Sequence, residues 1–248
     1  MDQPLAFAAI VAATFIVAGF VKGVAGMGLP TVAVGVLGAL FSPLTAASLL
    51  LVPSFITNLW QSLAGPHRQT LIGRLWPMLA ATVAGTLAAS ARLAAGGTRT
   101  ATVTLGLALI LYAASALFAR PWRVPARAER WLAPLAGFVT GVVAGATGVL
   151  VVPAAPYLQA LGLDREALVQ ALGLSFTAST LALGAGLVLH GALPAGAVGT
   201  SALAVLPALA GMGVGQAVRS RISATAFRQW FLLCLLLLGL AMVAHGQS

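Results

Sequence analysis

The sequence predicts an all-α polytopic membrane protein, and three observations predict it. Of 248 residues, 60% are hydrophobic and 7% charged, where a soluble domain carries roughly 25% charged residues; the mean hydropathy is +1.03. Apolar stretches of about 20 residues, enough to cross a hydrocarbon core about 30 Å thick, follow one another with short breaks. The two halves of the chain also carry related motifs, as expected of two inverted membrane repeats of about 120 residues each.

Breaks at Pro, Gly and Arg clusters delimit about eight hydrophobic segments, at 5–41, 44–64, 71–91, 100–119, 131–161, 166–189, 194–217 and 225–244. Six have the length of a single crossing. The first and fifth are too long for one crossing and carry Gly and Pro near their middles, which marks broken or re-entrant helices. In the first, the second arm from Leu29 to Phe41 has 13 residues, about 20 Å of helix. Such a half-helix is tolerated where it lines a polar cavity.

The stretch from Gly19 to Pro30, GFVKGVAGMGLP, is echoed by GFVTGVVAGATG from Gly137 to Gly148, with Pro153 shortly after. Ser54 and Phe55 match Ser175 and Phe176, and Pro77 to Gly85 mirrors Pro207 to Gly215. The expected organisation is a first membrane repeat at 1–119, an Arg-rich cytoplasmic linker at 120–130 and a second membrane repeat at 131–248. Met1 to Pro4 lacks the positive start of a cleaved signal, so the first segment is expected to stay.

Charge orients the chain. The net charge is +9, yet the twelve Arg and single Lys are spread over short loops without a basic face, so no nucleic-acid partner is expected. If each segment crossed once, the arginines would divide six and six. If the first and fifth segments turn back, Lys22, Arg68, Arg74, Arg120, Arg123, Arg127, Arg130, Arg165, Arg219, Arg221 and Arg228 share one side, against Arg92 and Arg99. That eleven-to-two division obeys the positive-inside rule.

Gly23, Gly26 and Gly28 let the backbone turn and its amides approach a ligand, and Pro30 suits the first turn of a following helix. A glycine turn before a helix N-terminus favours an anion, and Lys22 adds a cation. Gly145, Thr147, Gly148 and Pro153 would be the matching element. Close helix packing explains such glycines equally well, and an interfacial lysine can snorkel. An ionised side chain in an apolar segment nevertheless costs roughly 2.5 to 3.5 kcal/mol on insertion scales, which points to function.

Ser54, Thr57, Asn58 and Gln61 share one helix face by their spacing, and Ser175, Thr177, Ser179 and Thr180 gather in the matching segment. A polar stripe suits a substrate path, although hydroxyls also satisfy their own helix carbonyls. Asn58, Gln61, Thr147, Ser175 and Ser179 are the candidates for orienting hydrogen bonds.

Other chemistries fare less well. A serine nucleophile at Ser175 needs a base within hydrogen-bond reach, whereas His67, His190 and His245 lie near segment ends. Lone Cys234 allows no internal disulfide, no residue cluster has metal-ligand spacing, and no cofactor is expected. Asp2, Glu129, Asp164 and Glu166 also sit at segment ends, so export driven by an inside-negative potential, about 2.3 kcal/mol per charge per 100 mV, is expected in place of a buried proton relay.

Together, the glycine motif at 19–28 with Pro30, its echo at 137–153, the segment count and the length resemble the TauE/SafE family of sulfite exporters over essentially the whole chain. The resemblance implies a multi-pass protein of the bacterial cytoplasmic (inner) membrane that transports sulfite, an organosulfonate or a related small anion. The family's glycine motif maps onto Gly23, Gly26, Gly28 and Pro30, and its second copy onto Gly141, Gly145, Gly148 and Pro153. The first copy lacks a run of three glycines, and the second carries Ala146 and Thr147 at glycine positions. The expected partners are a small anionic substrate and the lipid bilayer, with a homodimer left open. A passive anion channel, and behind it an intramembrane hydrolase, are the alternatives to an exporter.

Overall fold

The computed structural model describes residues 2–96, 98–118, 123–194 and 196–247. Its helices are α1 (Asp2–Ala25), α2 (Leu29–Leu40), α3 (Pro43–Leu63), α4 (Arg68–Ala94), α5 (Thr98–Phe118), α6 (Ala126–Thr147), α7 (Ala154–Ala160), α8 (Arg165–Leu189), α9 (Ala197–Leu203), α10 (Val205–Val218) and α11 (Ala224–Gln247). Among the described residues there is no strand, and seven helical spans are long and apolar enough to cross a membrane.

Local chemistry sets the ends. Ser42 caps α3 by accepting a hydrogen bond from the Thr45 N–H at 3.1 Å, with Pro43 in the first turn. Asp164 caps α8 by accepting from the Glu166 and Ala167 N–H groups. The long first segment breaks at 26–28, leaving α2 as a 12-residue half-helix, about 18 Å long. The fifth breaks after Thr147 into a non-helical run at 148–153 and the seven-residue α7.

Proline inside α3 shows how such breaks are repaired. Pro53 has no N–H for the Leu49 carbonyl, and that oxygen instead accepts from Ser201 Oγ at 2.8 Å. Ser201 in turn accepts from the Val52 N–H at 3.0 Å. The expected seventh crossing is itself interrupted at Ala204, between α9 and α10.

Two helix seams repeat one contact. On α1, a Cβ at Gly19 or Gly23 would collide with the carbonyls of Ala208 and Met212 on α10. On α6, one at Gly137 or Gly141 would collide with those of Met78 and Thr82 on α4. The reciprocal glycines, Gly215 and Gly85, meet the carbonyls of Phe20 and Phe138. Each contact maps onto the other by the correspondence read from sequence, and each pairs a helix of one half with a helix of the other. Backbones this close gain dispersion and exclude lipid without needing apolar side chains.

One end of the bundle collects the basic residues. Arg74 pairs with Glu129, with Nε–Oε1 at 2.6 Å; Arg228 donates to the Ala116 carbonyl at 3.1 Å; and the Val124 N–H donates to the Ala160 carbonyl at 2.9 Å. Arg165 and Arg219 line a cavity there with Lys22. Arg92 lines a cavity at the opposite end with Thr100 and Ala146. Arg120, counted with the basic side, lies outside the described residues.

Candidate functional site

The site begins where α1 stops. Gly26 donates its N–H to the Lys22 carbonyl at 2.8 Å, closing the last helical turn. Gly26 and Gly28 then take φ of 78° and 110°, a left-handed conformation that a Cβ would strain. Pro30 lies in the first turn of α2. This elbow fixes Lys22 one turn before it, inside the protein, with 2% of its surface exposed.

The polar face of α3 meets that lysine. Lys22 Nζ donates to Thr57 Oγ1 at 3.1 Å and to Asn58 Oδ1. Asn58 Nδ2 donates onward to Ser54 Oγ at 3.0 Å, and Thr57 Oγ1 donates to the Pro53 carbonyl at 2.7 Å. One turn along, Gln61 Nε2 donates to the Gly26 carbonyl at 2.8 Å and ties α3 to the elbow. The Gln61 Oε1 atom is buried without a partner. Among the described residues no carboxylate pairs with Lys22. A buried cation held only by neutral oxygens has its hydrogen bonds but not its counter-charge.

A cavity of about 400 Å³ supplies the space for one. Lys22, Gly23, Gly26 and Gln61 line it from α1 and α3, and Arg165, Glu166, Gln170 and Arg219 from α8 and the end of α10. Gln170 fixes this wall: Nε2 donates to the Ser62 and Gly65 carbonyls at 2.9 and 2.8 Å, while Oε1 accepts from the His67 N–H at 3.0 Å. All its hydrogen-bonding atoms are thereby used to hold the α3–α4 loop against α8. The Arg219 guanidinium is pushed down from its ordinary value, first by burial and then by Arg165 nearby. Three cations and one carboxylate around a partly enclosed cavity suit a small anion.

The structure brings together part of the predicted set. Lys22, Gly23, Gly26 and Gln61 face the cavity, and Asn58 joins them through Lys22. Gly23 also sits on α10, so the packing explanation of its small size applies there as well. Gly28 packs against Val21 and Phe231, and Pro30 starts α2, so both shape the elbow.

The second motif copy lies elsewhere. Gly145 packs on the Thr86 carbonyl of α4, and Gly148 contacts Val34 and Ala47. Thr147 Oγ1 donates to the Val143 carbonyl at 2.7 Å and accepts from the Val149 N–H at 3.1 Å. Pro153 is the N-cap of α7. None of these four lines the cavity around Lys22. Oppositely running halves place equivalent residues toward opposite ends of the bundle. Ser175 and Ser179 are buried on α8 with Oγ atoms that have no partner. They too stand apart from that cavity.

Arg165, Glu166, Gln170 and Arg219 escaped the sequence reading. Gln170 could have been found as a primary amide within an apolar segment. The two arginines resemble any loop arginine. Of the three histidines, His190 caps the far end of α8, about 22 Å of helix from Ser175.

The family model described as "Sulfite exporter TauE/SafE" matches residues 11–242. No curated protein and no solved structure shows a significant match.

Proposed function

We propose, for a chain that belongs to the sulfite exporter TauE/SafE family, that it exports sulfite or a short organosulfonate from the bacterial cytoplasm across the inner membrane. Membership makes the protein a multi-pass membrane transporter of the anion-exporter type. The observation that carries the finer reading is the buried Lys22, hydrogen-bonded only to Thr57 and Asn58 beside a cavity with room for a small anion. An oxyanion entering from the basic end would meet Arg165 and Arg219 first. It would then replace one of the neutral acceptors on Lys22, taking a charge-assisted hydrogen bond in its place. Gln61 and the elbow amides would orient it.

The eleven-to-two division of basic residues supports placing the Arg-rich linker 120–130 in the cytoplasm. The duplicated α1–α10 and α6–α4 seams support reading 1–119 and 131–248 as inverted repeats. In that correspondence Thr140 stands where Lys22 does, and Ser179 where Asn58 does. The second half then offers hydroxyls and no cation: a weaker station facing the other way, suited to release.

Radiolabelled sulfite uptake into inverted membrane vesicles tests the reading, since inversion turns export into accumulation. Saturable accumulation, stimulated by unlabelled sulfite on the far side and lost in Lys22→Gln, is expected. Flux of the wild type that neither saturates nor shows counterflow would identify a channel; no flux of any oxidised-sulfur anion would overturn the substrate assignment.

A further inference from the structure

The first cavity has a neighbour. A second one, of about 380 Å³, lies beside the same elbow, lined there by Val24, Ala25 and Met27. The two cavities share Arg165, Val169 and Arg219 but differ otherwise. The second is walled chiefly by apolar side chains, among them Leu172 of α8 and Phe231 of α11, and its volume falls in the range of about 300 to 1,000 Å³ common to small-molecule sites.

Its charged groups are of one sign, beside the neutral Tyr112 and Gln159. Arg165, Arg219 and Arg228 line it, whereas Glu166, which tempers the first cavity, does not. Arg228 is fixed by its hydrogen bond to the Ala116 carbonyl. Arg165, exposed at the mouth, makes no hydrogen bond or ion pair among the described residues, and Arg219 Nε is buried without a partner. A donor held out of water with nothing to bind is a costly arrangement unless a ligand completes it. Apolar walls ending in guanidinium groups, with no carboxylate among the lining residues, are complementary to a molecule with a charged head and an apolar tail.

We propose that this cavity binds a small amphiphilic anion, a sulfonate or similar oxyanion on a short unbranched alkyl chain. The head lies between Arg165 and Arg219, and the tail lies along Met27, Leu172 and Phe231. The inference goes beyond the transport assignment, which places its anion at Lys22 in the first cavity, and sulfite, having no tail, would gain nothing from these walls. Occupancy here also engages the two arginines that line the first cavity.

Calorimetric titration of the full-length protein in phosphatidylcholine nanodiscs, with empty-disc heats subtracted, tests it. Butane-, hexane- and octane-1-sulfonate are expected to bind with affinity rising about fourfold per methylene, the equivalent of about 0.8 kcal/mol. Hexan-1-ol, with a tail but no charge, is expected to bind at least tenfold more weakly than hexane-1-sulfonate. Ala116→Trp, which fills the apolar wall, should lower hexane-1-sulfonate affinity at least tenfold. Leu172→Trp serves the same purpose should the first variant fail to give monodisperse protein. A chain-length series with no trend, equal binding of the alcohol, or undiminished binding to a folded tryptophan variant would overturn the proposal. So would loss of alkyl sulfonate binding when phosphatidylglycerol is added to the discs, since a lipid headgroup would then be the occupant. Failed sulfite transport with the chain-length trend intact would count against the transport reading alone.

Discussion

Lys22 and Asn58, 36 residues apart, meet inside the protein through a hydrogen bond from Nζ to Oδ1, beside a cavity that Lys22 lines together with Arg165 and Arg219. The pairing holds a charge where none would be tolerated unaided. Removing the cation and removing its acceptor should therefore have different consequences.

Lys22→Met deletes the buried charge and keeps the volume. It is expected to leave the melting temperature near or above that of the wild type, because a buried charge contributes little net stability, while sulfite accumulation falls at least tenfold. Asn58→Leu leaves the cation short of an acceptor and should cost about 1.5 to 3 kcal/mol. The double variant should recover stability but not transport. Melting curves and vesicle flux on the same preparations check this, and loss of stability in Lys22→Met as large as in Asn58→Leu would refute it.

The glycines divide by the same logic. Gly23 and Gly141 touch carbonyls of a neighbouring helix, so alanine at either forces the seams apart. Both variants are expected to express poorly and to melt well below the wild type. Gly26 has room for a methyl group, with the nearest atom 3.4 Å away, but a φ of 78°. Gly26→Ala should cost about 1 to 2 kcal/mol of backbone strain, yield folded protein and lower flux by displacing the elbow. Equal behaviour of all three variants in size-exclusion and flux assays would remove the distinction.

That division marks the limit of what the sequence could convey. Lys22 was legible because an ionised residue in an apolar segment is rare, and the α1–α2 break because Gly26, Gly28 and Pro30 cluster there. The depth of the second motif was not. GFVKG and GFVTG read alike, yet only GFVKG lies beside the cavity, since residue types carry no record of which end of a bundle they reach. The break at Ala204 has a signal visible in retrospect: Pro207 has no N–H for the Leu203 carbonyl. Arg165 and Arg219 had none, because a cavity-lining arginine at a helix end has the same local sequence as a topological one.

Among the described residues that line the cavity, Glu166 is the one carboxylate and opposes an incoming anion. Glu166→Gln removes a like charge and is expected to lower KM for sulfite about fivefold, the effect of roughly 1 kcal/mol in a partly solvated site. Flux in the variant should continue to follow an imposed potassium-valinomycin potential. Loss of flux in Glu166→Gln, with a proton gradient needed by the wild type, would instead make this carboxylate a coupling group.

Asp164 gives the mouth a pH dependence of known sign. Its carboxyl is held below the ordinary carboxylate range, first by the Ala167 N–H and, against some desolvation, by the Glu166 N–H and the nearby His67. The ionised cap therefore steadies the first turn of α8 at pH values above that ordinary range, and its contribution is lost as pH falls through the lowered folded value. Arg165 and Glu166 stand in that turn. Asp164→Asn keeps a capping oxygen that does not titrate. Wild-type melting temperature should consequently drop more steeply than that of Asp164→Asn as acid is added, with the two curves converging below the folded value. Asp164→Ala should show low affinity for sulfite at neutral pH, restored in Asp164→Asn. Parallel melting profiles for wild type and Asp164→Asn across the acid range would mean that the cap contributes nothing to the mouth.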